Sequence, residues 1–307
     1  MQEILPILEE ALQHHPNITF QVLNSDYGSG SYAGTPVKAG NTLYLYRSLR
    51  AWMELAELLG CRMHLPRRAG EYLMQLTFER LAHDSFHETE AKEREEKYGS
   101  DSHFAKLHKM EEPAFFYYYR QALHNVAVER RKYILNLGIN RGDEFEVIRS
   151  MVGTIAYQNM ELTGIDYAQS AIDCAQKRFP ETNSRFYAED INAIEHLKLG
   201  KFDLCISIGT LQSPGIRFKP FLMYLVQHLL TEESALILGF PNSRWRDGEM
   251  LYGAKVPNYA MSEMGHLFND VMFAKKYLQQ KRYRVTLTGK QYIFLTATKI
   301  RGALSYH

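Results

Sequence analysis

The chain has 307 residues, of which 45% are hydrophobic and 23% are charged. This balance is typical of a globular protein with one large domain or two ordinary ones, and it excludes an intrinsically disordered chain. The formal net charge is only +1, so no overall field favours a membrane surface or nucleic acid. A local basic patch would still allow nucleic acid, which stays open as a disfavoured partner.

Cysteine usage and the first residues of the chain indicate the compartment. The three cysteines, Cys61, Cys174 and Cys205, are too few for a disulfide framework. The N-terminus carries neither a basic segment nor a long apolar one, so no signal peptide is visible. No run of about eighteen apolar residues is present, which predicts no membrane span. We therefore expect a protein of the cytoplasm.

The N-terminal third of the chain mixes helical and strand patterns. Its predicted elements are an amphipathic helix (2–14), a short strand (18–24), a helix ending at Gly60 (43–60), a strand or helix (71–82) and a solvated charged helix (88–98). A glycine-rich loop at residues 26–34 lacks the lysine of a phosphate-binding loop and is read as a flexible loop. We expect residues 1–110 to form a helical or mixed α/β substrate or cap domain.

The remainder, residues 111–307, has a different texture. A helix predicted over 111–131 opens with an aromatic run, and short apolar runs then alternate with helical patterns. The predicted strands are Tyr133–Leu137, Glu161–Ile165, Ser184–Ala188, Phe202–Ile208 and Ser234–Phe240. The predicted helices between and after them are 166–179, 221–230 and 267–281. Alternation of this kind predicts a doubly wound α/β fold with a parallel sheet.

The end of the chain departs from that alternation. Two strand-like runs, Tyr283–Thr288 and Gln291–Lys299, are separated by Gly289 and Lys290, which suit a hairpin turn. We therefore predict a mostly parallel seven-stranded sheet that ends in an antiparallel β-hairpin.

A glycine-bearing turn follows the first strand of this region. Gly138 and Gly142 would let the backbone approach a ligand closely, and Asn140 tolerates positive φ better than most residues. A helix starts directly after Gly142. Strand, turn and helix together predict a ligand over the carboxyl end of the first strand, beside the helix N-terminus.

These residues resemble the first motif of the class I, Rossmann-like, S-adenosylmethionine-dependent methyltransferase family. That motif runs apolar-apolar-acid-apolar-Gly-x-Gly-x-Gly, and here Asn136 stands for the acid and Asn140 for the middle glycine. The later motifs follow in the family's order over about residues 133–299. The resemblance implies an enzyme with S-adenosyl-L-methionine as cofactor and S-adenosyl-L-homocysteine as product.

The resemblance also implies roles for residues at the other strand ends. Asp166 would accept both ribose hydroxyls, and Asp190 with the Ile191 N–H would receive the adenine. In the aromatic run before the first strand, Arg120 would pair with the cofactor carboxylate, and Tyr119 would touch the methyl donor or the acceptor. The implied cofactor-binding residues are Tyr119, Arg120, Asn136, Gly138, Asn140, Gly142, Asp166, Tyr167, Asp190, Ile191, Ile208 and Gly209.

The methyl acceptor is not identified by the sequence. The fourth strand is followed by Gly209 to Pro214 rather than the Asn/Asp-Pro-Pro-aromatic motif of enzymes that methylate amide or adenine nitrogens, so a small molecule is favoured over a protein or RNA. The insert at 241–260 is expected to help build the acceptor pocket. Candidate acceptor contacts are Tyr118, Gln212, Arg244, Trp245 and Tyr252. No catalytic residue and no oligomeric state is predicted.

Three alternatives accompany this interpretation. A nicotinamide-dependent oxidoreductase would need glycines where Asn140 and Asp143 stand. An inactive methyltransferase-like scaffold is kept open by Asn136 and Asn140. A zinc site would draw on Cys61, His64 and two histidines of the following segment, His83 and His87, but no second thiol pair supports it, and no metal is expected.

Overall fold

The computed structural model describes residues 1–82, 107–213, 215–253 and 264–300. It divides into two compact units, one made of residues 1–85 with 245–251 and the other of residues 86–244 with 252–307. The segment 83–106, which holds the predicted charged helix 88–98, lies outside the described residues. The predicted domain boundary after residue 110 therefore stays a prediction.

The first unit is a small mixed α/β structure. Its elements are α1 (Ile4–His14), β1 (Asn17–Leu23), β2 (Pro36–Ala39), β3 (Thr42–Leu45), α2 (Leu49–Leu58), β4 (Cys61–Met63), β5 (Arg67–Arg68) and β6 (Leu73–Arg80). Strand β6 pairs antiparallel with β1, β4 and β5, while β2 and β3 form a separate hairpin. Trp52, Leu76 and Phe78 lie in the core between α2 and this sheet.

One element of this unit differs from expectation. The helix predicted over 43–60 begins only at Leu49, because residues 42–45 pair with 36–39 as strand β3. Gly40 makes the connecting turn with φ of 61°. The Ser48 hydroxyl accepts the N–H of Ala51 at 3.2 Å, which caps the helix at its true start.

The second unit contains the predicted alternation of strands and helices. Its elements are α3 (Pro113–Asn125), β7 (Tyr133–Leu137), α4 (Asp143–Val152), α5 (Thr154–Gln158), β8 (Glu161–Asp166), α6 (Gln169–Arg178), β9 (Ser184–Ala188), β10 (Phe202–Ile208), α7 (Phe218–Tyr224), β11 (Leu230–Pro241), α8 (Met264–Gln280), β14 (Tyr283–Gly289) and β15 (Tyr292–Lys299). Between β11 and α8, a hairpin of β12 (Ser243–Arg246) and β13 (Glu249–Tyr252) runs through the residues grouped with the first unit.

The seven strands of the main sheet lie in the order β14-β15-β11-β10-β7-β8-β9. Strands β7 to β11 are parallel, and β15 runs antiparallel to both β11 and β14. The parallel part has the doubly wound order, with the switch point between β7 and β10. The last strand, β15, lies between β11 and β14. This is the fold that the resemblance implied, a mixed α/β sheet ending in antiparallel strands.

The terminal hairpin turns slightly later than predicted. Strand β14 continues through Gly289, which pairs with Ile293, so Lys290 and Gln291 form the turn. Gly289 has φ of 121°, a conformation that side-chain-bearing residues rarely adopt.

At the amino end of the main sheet, Asp203 and Arg131 hydrogen-bond to the backbone of neighbouring segments. The Asp203 carboxylate accepts the N–H groups of Lys132 and Tyr133 at 2.8 and 3.0 Å. Arg131 donates to the carbonyl oxygens of Val126 and Glu233 at 2.8 and 2.7 Å. Ligands of doubly wound sheets bind at the opposite, carboxyl end.

No helix in the described parts of the chain is long and apolar enough to cross a membrane.

Candidate functional site

The loop after β7 is a tight turn whose backbone donors point inward. Gly138, Asn140 and Gly142 have φ of 77°, 46° and 82°, as their residue types allow. The N–H groups of Gly138 and Ile139 both donate to the carbonyl of Ile165, at 2.8 and 3.0 Å. The N–H of Gly142 donates to the carbonyl of Ile139 at 2.8 Å. The turn is therefore fixed against the end of β8 by its own amides.

Gly138 also allows two loops to approach each other. A Cβ atom on Gly138 would collide with the side chain of Thr210, which follows β10. The loops after β7 and β10 thus meet at the switch point of the sheet, where a crevice forms in such folds.

Asp166 ends β8 and joins the first two loops. Its Oδ2 accepts the Asn140 N–H at 2.9 Å, and its Oδ1 accepts the Ala168 N–H at 3.1 Å. Burial raises the pKa of this carboxyl above its ordinary value, although the backbone hydrogen bonds act in the opposite direction. Among the described residues it forms no ion pair. A third backbone hydrogen bond comes from Tyr167, so about one of the four lone-pair sites of the carboxylate remains for a further donor.

The other predicted cofactor residues lie at the same edge. Tyr167 is 58% exposed directly after Asp166. Asp190 follows β9, where its Oδ1 accepts the N–H and the side-chain amide of Asn192 at 2.8 and 3.0 Å. Ile191 is buried beneath it. The carboxyl ends of three neighbouring strands therefore bring Asn140, Asp166 and Asp190 to one edge.

The end of β10 contributes the remaining predicted cofactor residues. Ile208 is buried, and Gly209 has φ of 78°. The Gly209 N–H donates to the carbonyl of Gly239 at 2.8 Å, so the chain turns upward beside β11. Gly209 is half-buried, and a Cβ atom on it would lie in ordinary contact with Pro241 and Tyr292.

Helix α4 begins with an acidic turn that the sequence analysis did not single out. Asp143 and Glu146 form ion pairs with Arg178, and Glu146 also pairs with Arg149. Glu144 instead faces Asn136, whose side-chain amide lies 3.5 Å from the Glu144 carboxylate. Burial, with repulsion from Asp143, raises the pKa of Glu144 to about 7.

Glu144 brings a carboxylate next to Asn136. Asn136 is buried on β7, and Glu144 reaches its side-chain amide from the first turn of α4. A negative charge at a helix N-terminus is stabilised by the helix dipole. The sequence does not predict this contact, because Asn136 lies on a strand and Glu144 on the helix that follows it.

A short segment before α3 was also missed. His108 lies 3.0 Å from the Arg141 guanidinium, which belongs to the loop after β7. Lys109 lies 5.2 Å from the centre of the Tyr292 ring. Burial disfavours its charged form, but attraction to Tyr292 and Glu144 outweighs this and raises the Lys109 pKa. This segment therefore brings positive charge next to the acidic turn.

Helix α3 holds its aromatic run against the hairpin rather than against the first loop. Phe115 packs edge-on to Tyr292 and Phe294, with ring centres 5.0 and 5.3 Å apart. Tyr119 is fully buried, and its hydroxyl donates to the Glu144 carbonyl at 3.2 Å. The Tyr119 ring thus lies in the core with its hydroxyl on the first turn of α4, and its predicted contact with donor or acceptor stays a prediction. Arg120 is exposed and lies over the Phe116 ring.

The predicted acceptor contacts lie on three segments. Tyr118 lies on α3 beside the terminal hairpin, and the Gln212 side-chain oxygen is buried without a hydrogen-bond partner among the described residues. Arg244, Trp245 and Tyr252 belong to the β12–β13 hairpin, where Arg244 donates to the Gly253 carbonyl at 2.9 Å and to the Tyr252 carbonyl at 3.4 Å. Their role toward an acceptor stays a prediction.

The zinc alternative draws on residues that the structure describes only in part. Cys61 is buried and donates toward the Leu59 carbonyl, while the His64 ring contacts Glu79 at 2.8 Å. His83 and His87 lie outside the described residues. No cluster of three or more potential metal ligands occurs in the described ranges.

Comparison with known proteins gives structural likenesses only. No family model matches the sequence. No protein with curated annotation matches it significantly. Among solved structures, the chain is similar to the plantazolicin methyltransferase BpumL in complex with SAH, at 15% identity over 63% of this chain and 88% of that one, with a TM-score of 0.46.

Two further solved structures are also similar to this chain. A SAM-dependent methyltransferase from Aquifex aeolicus matches at 16% identity over 59% of this chain and 89% of that one, with a TM-score of 0.43. The N-methyltransferase NodS from Bradyrhizobium japonicum matches at 14% identity, 62% and 89% coverage and a TM-score of 0.41. The structural neighbours are thus SAM-dependent methyltransferases. Because one fold hosts many functions, the chemistry has to be argued from the site itself.

Proposed function

We propose that the chain binds S-adenosyl-L-methionine at the carboxyl edge of β7 to β10 and transfers its methyl group to a small-molecule acceptor. The observation that carries the proposal is the Asp166 carboxylate, which ends β8 and is bonded to the Asn140 amide of the first loop. A carboxylate that spans two loops and retains acceptor capacity suits a hydroxyl of a ribose.

The donor set at this edge fits the whole cofactor. Asp166 would hold the ribose, and Asp190 with the Ile191 N–H would hold the adenine. The turn from Gly138 to Gly142 would lie under the methionine part. Glu144 is a half-buried carboxyl without an ion pair closer than 4 Å among the described residues, and it suits the positively charged amino group of that part.

The same loop is poorly suited to a dinucleotide. A pyrophosphate needs free backbone N–H groups at a helix N-terminus. Here the N–H groups of Gly138, Ile139 and Asn140 are already used, by Ile165 and Asp166. With these amides already used, the turn offers few donors to a pyrophosphate.

The chemistry asked of the protein is mainly positioning. When bound, S-adenosyl-L-methionine supplies a methyl group activated by a positively charged sulfur, so the barrier falls by alignment rather than by an added catalytic group. Asp166 and the first loop would fix the ligand from one side. The end of β10, with Ile208 and Gly209, would form the floor that excludes water from the reacting atoms.

Titration calorimetry with S-adenosyl-L-methionine, S-adenosyl-L-homocysteine and NAD tests this proposal. The wild-type chain should bind the two adenosyl ligands with micromolar affinity and should not bind NAD. The Asp166→Asn variant should bind both about 100-fold more weakly, equivalent to about 2.7 kcal/mol, because a charged acceptor of the ribose hydroxyls is lost.

Asp203→Asn is the matched control for that variant. Asp203 also accepts backbone N–H groups, but it does so at the amino end of the sheet. It should lose a comparable amount of stability while its affinity for the adenosyl ligands changes less than twofold. Equal loss of binding in both variants would contradict the proposed site. No binding of either adenosyl ligand to the wild-type chain would overturn the enzyme and favour the scaffold alternative.

A further inference from the structure

An open groove of about 700 Å³ lies at the hairpin edge of the second unit. We call it the hairpin groove; the described residues that line it are Tyr117, Tyr118, Gln121, Phe268, Val271, Met272, Leu287, Thr288, Gly289 and Ile293. They come from α3, from α8 and from the turn end of β14 and β15. The volume lies within the range of about 300–1,000 Å³ that is typical of small-molecule sites.

The lining is apolar, aromatic and uncharged. None of the ten described lining residues carries a charge. Tyr117 is 64% exposed, and its ring stands edge-on to that of Tyr118, with centres 5.2 Å apart. Phe268 and Met272 on α8 are also exposed, at 47% and 41%. Large apolar side chains exposed side by side in this way mark a site of contact.

Polar groups also line the groove. Tyr117 and Tyr118 carry hydroxyls, and Gln121 carries an amide. The groove thus combines aromatic and aliphatic side chains with a few uncharged polar groups, as small-molecule sites do.

The position of the groove relates it to the proposed cofactor site. Tyr292, the first residue of β15, pairs with Pro241, the last residue of β11. The hairpin turn therefore lies at the same carboxyl edge as the loops after β7 and β10. Only β11 separates β15 from β10, so at about 4.8 Å per strand the groove begins about 10 Å from the end of β10.

We propose that the hairpin groove binds the body of the methyl acceptor, and that this acceptor is an uncharged aromatic molecule. This inference rests on the proposed function, because it places the acceptor relative to the methyl donor. The uncharged lining supplies no counter-ion for a phosphate or a carboxylate, which would lose hydration without compensation. Nucleic acid and nucleotide acceptors are disfavoured for the same reason.

Binding of 4-phenylphenol, followed by its fluorescence, tests the inference in the presence of S-adenosyl-L-homocysteine. This probe is an uncharged phenol of two linked rings, and biphenyl-4-carboxylate is its anionic counterpart. The wild-type chain should bind 4-phenylphenol at least tenfold more tightly than the anion. Met272→Glu, which adds a charge to the groove wall, should weaken binding of 4-phenylphenol at least tenfold.

Met223→Glu is the matched control, because Met223 is 40% exposed on a helix of the same unit, against 41% for Met272, and does not line the groove. It should leave probe binding unchanged. Both variants should bind S-adenosyl-L-homocysteine as the wild type does, by calorimetry, which shows that each is folded.

The outcomes separate the acceptor site from the proposed function. If S-adenosyl-L-homocysteine binds but 4-phenylphenol does not, or if Met272→Glu has no more effect than Met223→Glu, the acceptor groove is overturned and the cofactor site stands. If neither adenosyl ligand binds, the proposed function fails and the acceptor role fails with it. If Met272→Glu alone lowers the mass measured by light scattering, and the probe does not bind, the groove is an interface between two copies.

Discussion

The two ends of the seven-stranded sheet use the same chemistry with different results. At the amino end, Asp203 accepts two backbone N–H groups, and Arg131 donates to neighbouring carbonyls, so charges and hydrogen bonds are closed within the protein. At the carboxyl end, Asp166 also accepts backbone N–H groups, from Asn140, Tyr167 and Ala168, but no cation pairs with it in the described ranges. Its raised pKa reflects burial that its surroundings do not fully offset.

This difference distinguishes a structural carboxylate from one that is available to a ligand. Both aspartates would look alike in a sequence, since each follows or begins a buried apolar run. What separates them is the surrounding backbone. Around Asp166 the chain adopts positive φ at Gly138, Asn140 and Gly142, which forms a tight turn above the strand end. The following experiments test whether the two ends differ in stability and in ligand binding.

The largest effect is expected from Gly138→Ala, at the carboxyl end. The alanine would have to adopt φ of 77°, and its Cβ would collide with Thr210. Together these effects should lower the free energy of unfolding by about 4 kcal/mol. Gly153→Ala is the control, because Gly153 has φ of 76° but nothing within 4 Å of the added atom. It should cost about 1 kcal/mol in denaturant unfolding. Equal destabilisation would mean that the two loops do not meet as described.

At the amino end, Arg131→Met should lower the free energy of unfolding by about 2 to 3 kcal/mol. Three carbonyl oxygens, of Val126, Asp203 and Glu233, would lose a charged donor. The affinity for S-adenosyl-L-homocysteine, measured by calorimetry on the folded variant, should not change. Arg130→Met is the control, since the Arg130 side chain is 82% exposed, and its effect should stay below about 0.5 kcal/mol. A loss of ligand affinity in Arg131→Met would contradict the assignment of ligand binding to the carboxyl end alone.

A smaller effect, dependent on pH, is expected at Glu144. Its pKa is about 7 in the folded chain and 4.5 for the unperturbed group, so between these values the folded state holds a proton that the unfolded state has lost. The contribution of this group to stability is thus full below pH 4.5 and is lost as the pH rises to about 7. Above pH 7, Glu144→Gln should be more stable than wild type by about 1 to 2 kcal/mol.

Thermal unfolding of wild type and Glu144→Gln from pH 5 to pH 8 measures this difference. Glu129→Gln, an equal change of charge on a 55% exposed side chain, is the control and should follow the wild-type profile. A constant difference between wild type and Glu144→Gln over this range would show that Glu144 does not titrate there. If the carboxylate meets the cofactor amino group, wild-type affinity for S-adenosyl-L-homocysteine should also rise over this range, and that of the variant should not.

Much of the second unit could be predicted because its signals are local. Strands such as Phe202–Ile208 are continuous apolar runs, and the turn with Gly138 and Gly142 is set by residues that tolerate positive φ. The placement of Asp166 at a strand end followed from the same local reasoning. The untested part is what these residues bind, since a ligand leaves no periodic pattern in a sequence.

The features that were missed depend on contacts between distant residues. Glu144 reaches Asn136 from another element, and Lys109 is brought to the acidic turn by a segment that precedes α3. Packing of α3 on Phe294 places the Tyr119 ring in the core, which no local pattern predicts. Residues 43–45 were assigned to a helix because their apolar spacing is compatible with one, whereas the pairing of 42–45 with 36–39 decides for a strand.

The smallest effect is expected from Thr288→Val, in the wall of the hairpin groove. Replacing a buried hydroxyl that has no partner by a methyl group of similar size should raise the free energy of unfolding by about 0.5 to 1 kcal/mol. Thr286→Val, two residues earlier on the same strand and exposed, should change stability by less than about 0.5 kcal/mol, because water already satisfies its hydroxyl. Denaturant unfolding of both variants makes the comparison. If Thr288→Val destabilises the chain, the Thr288 hydroxyl of the wild type has a hydrogen-bond partner in the folded protein.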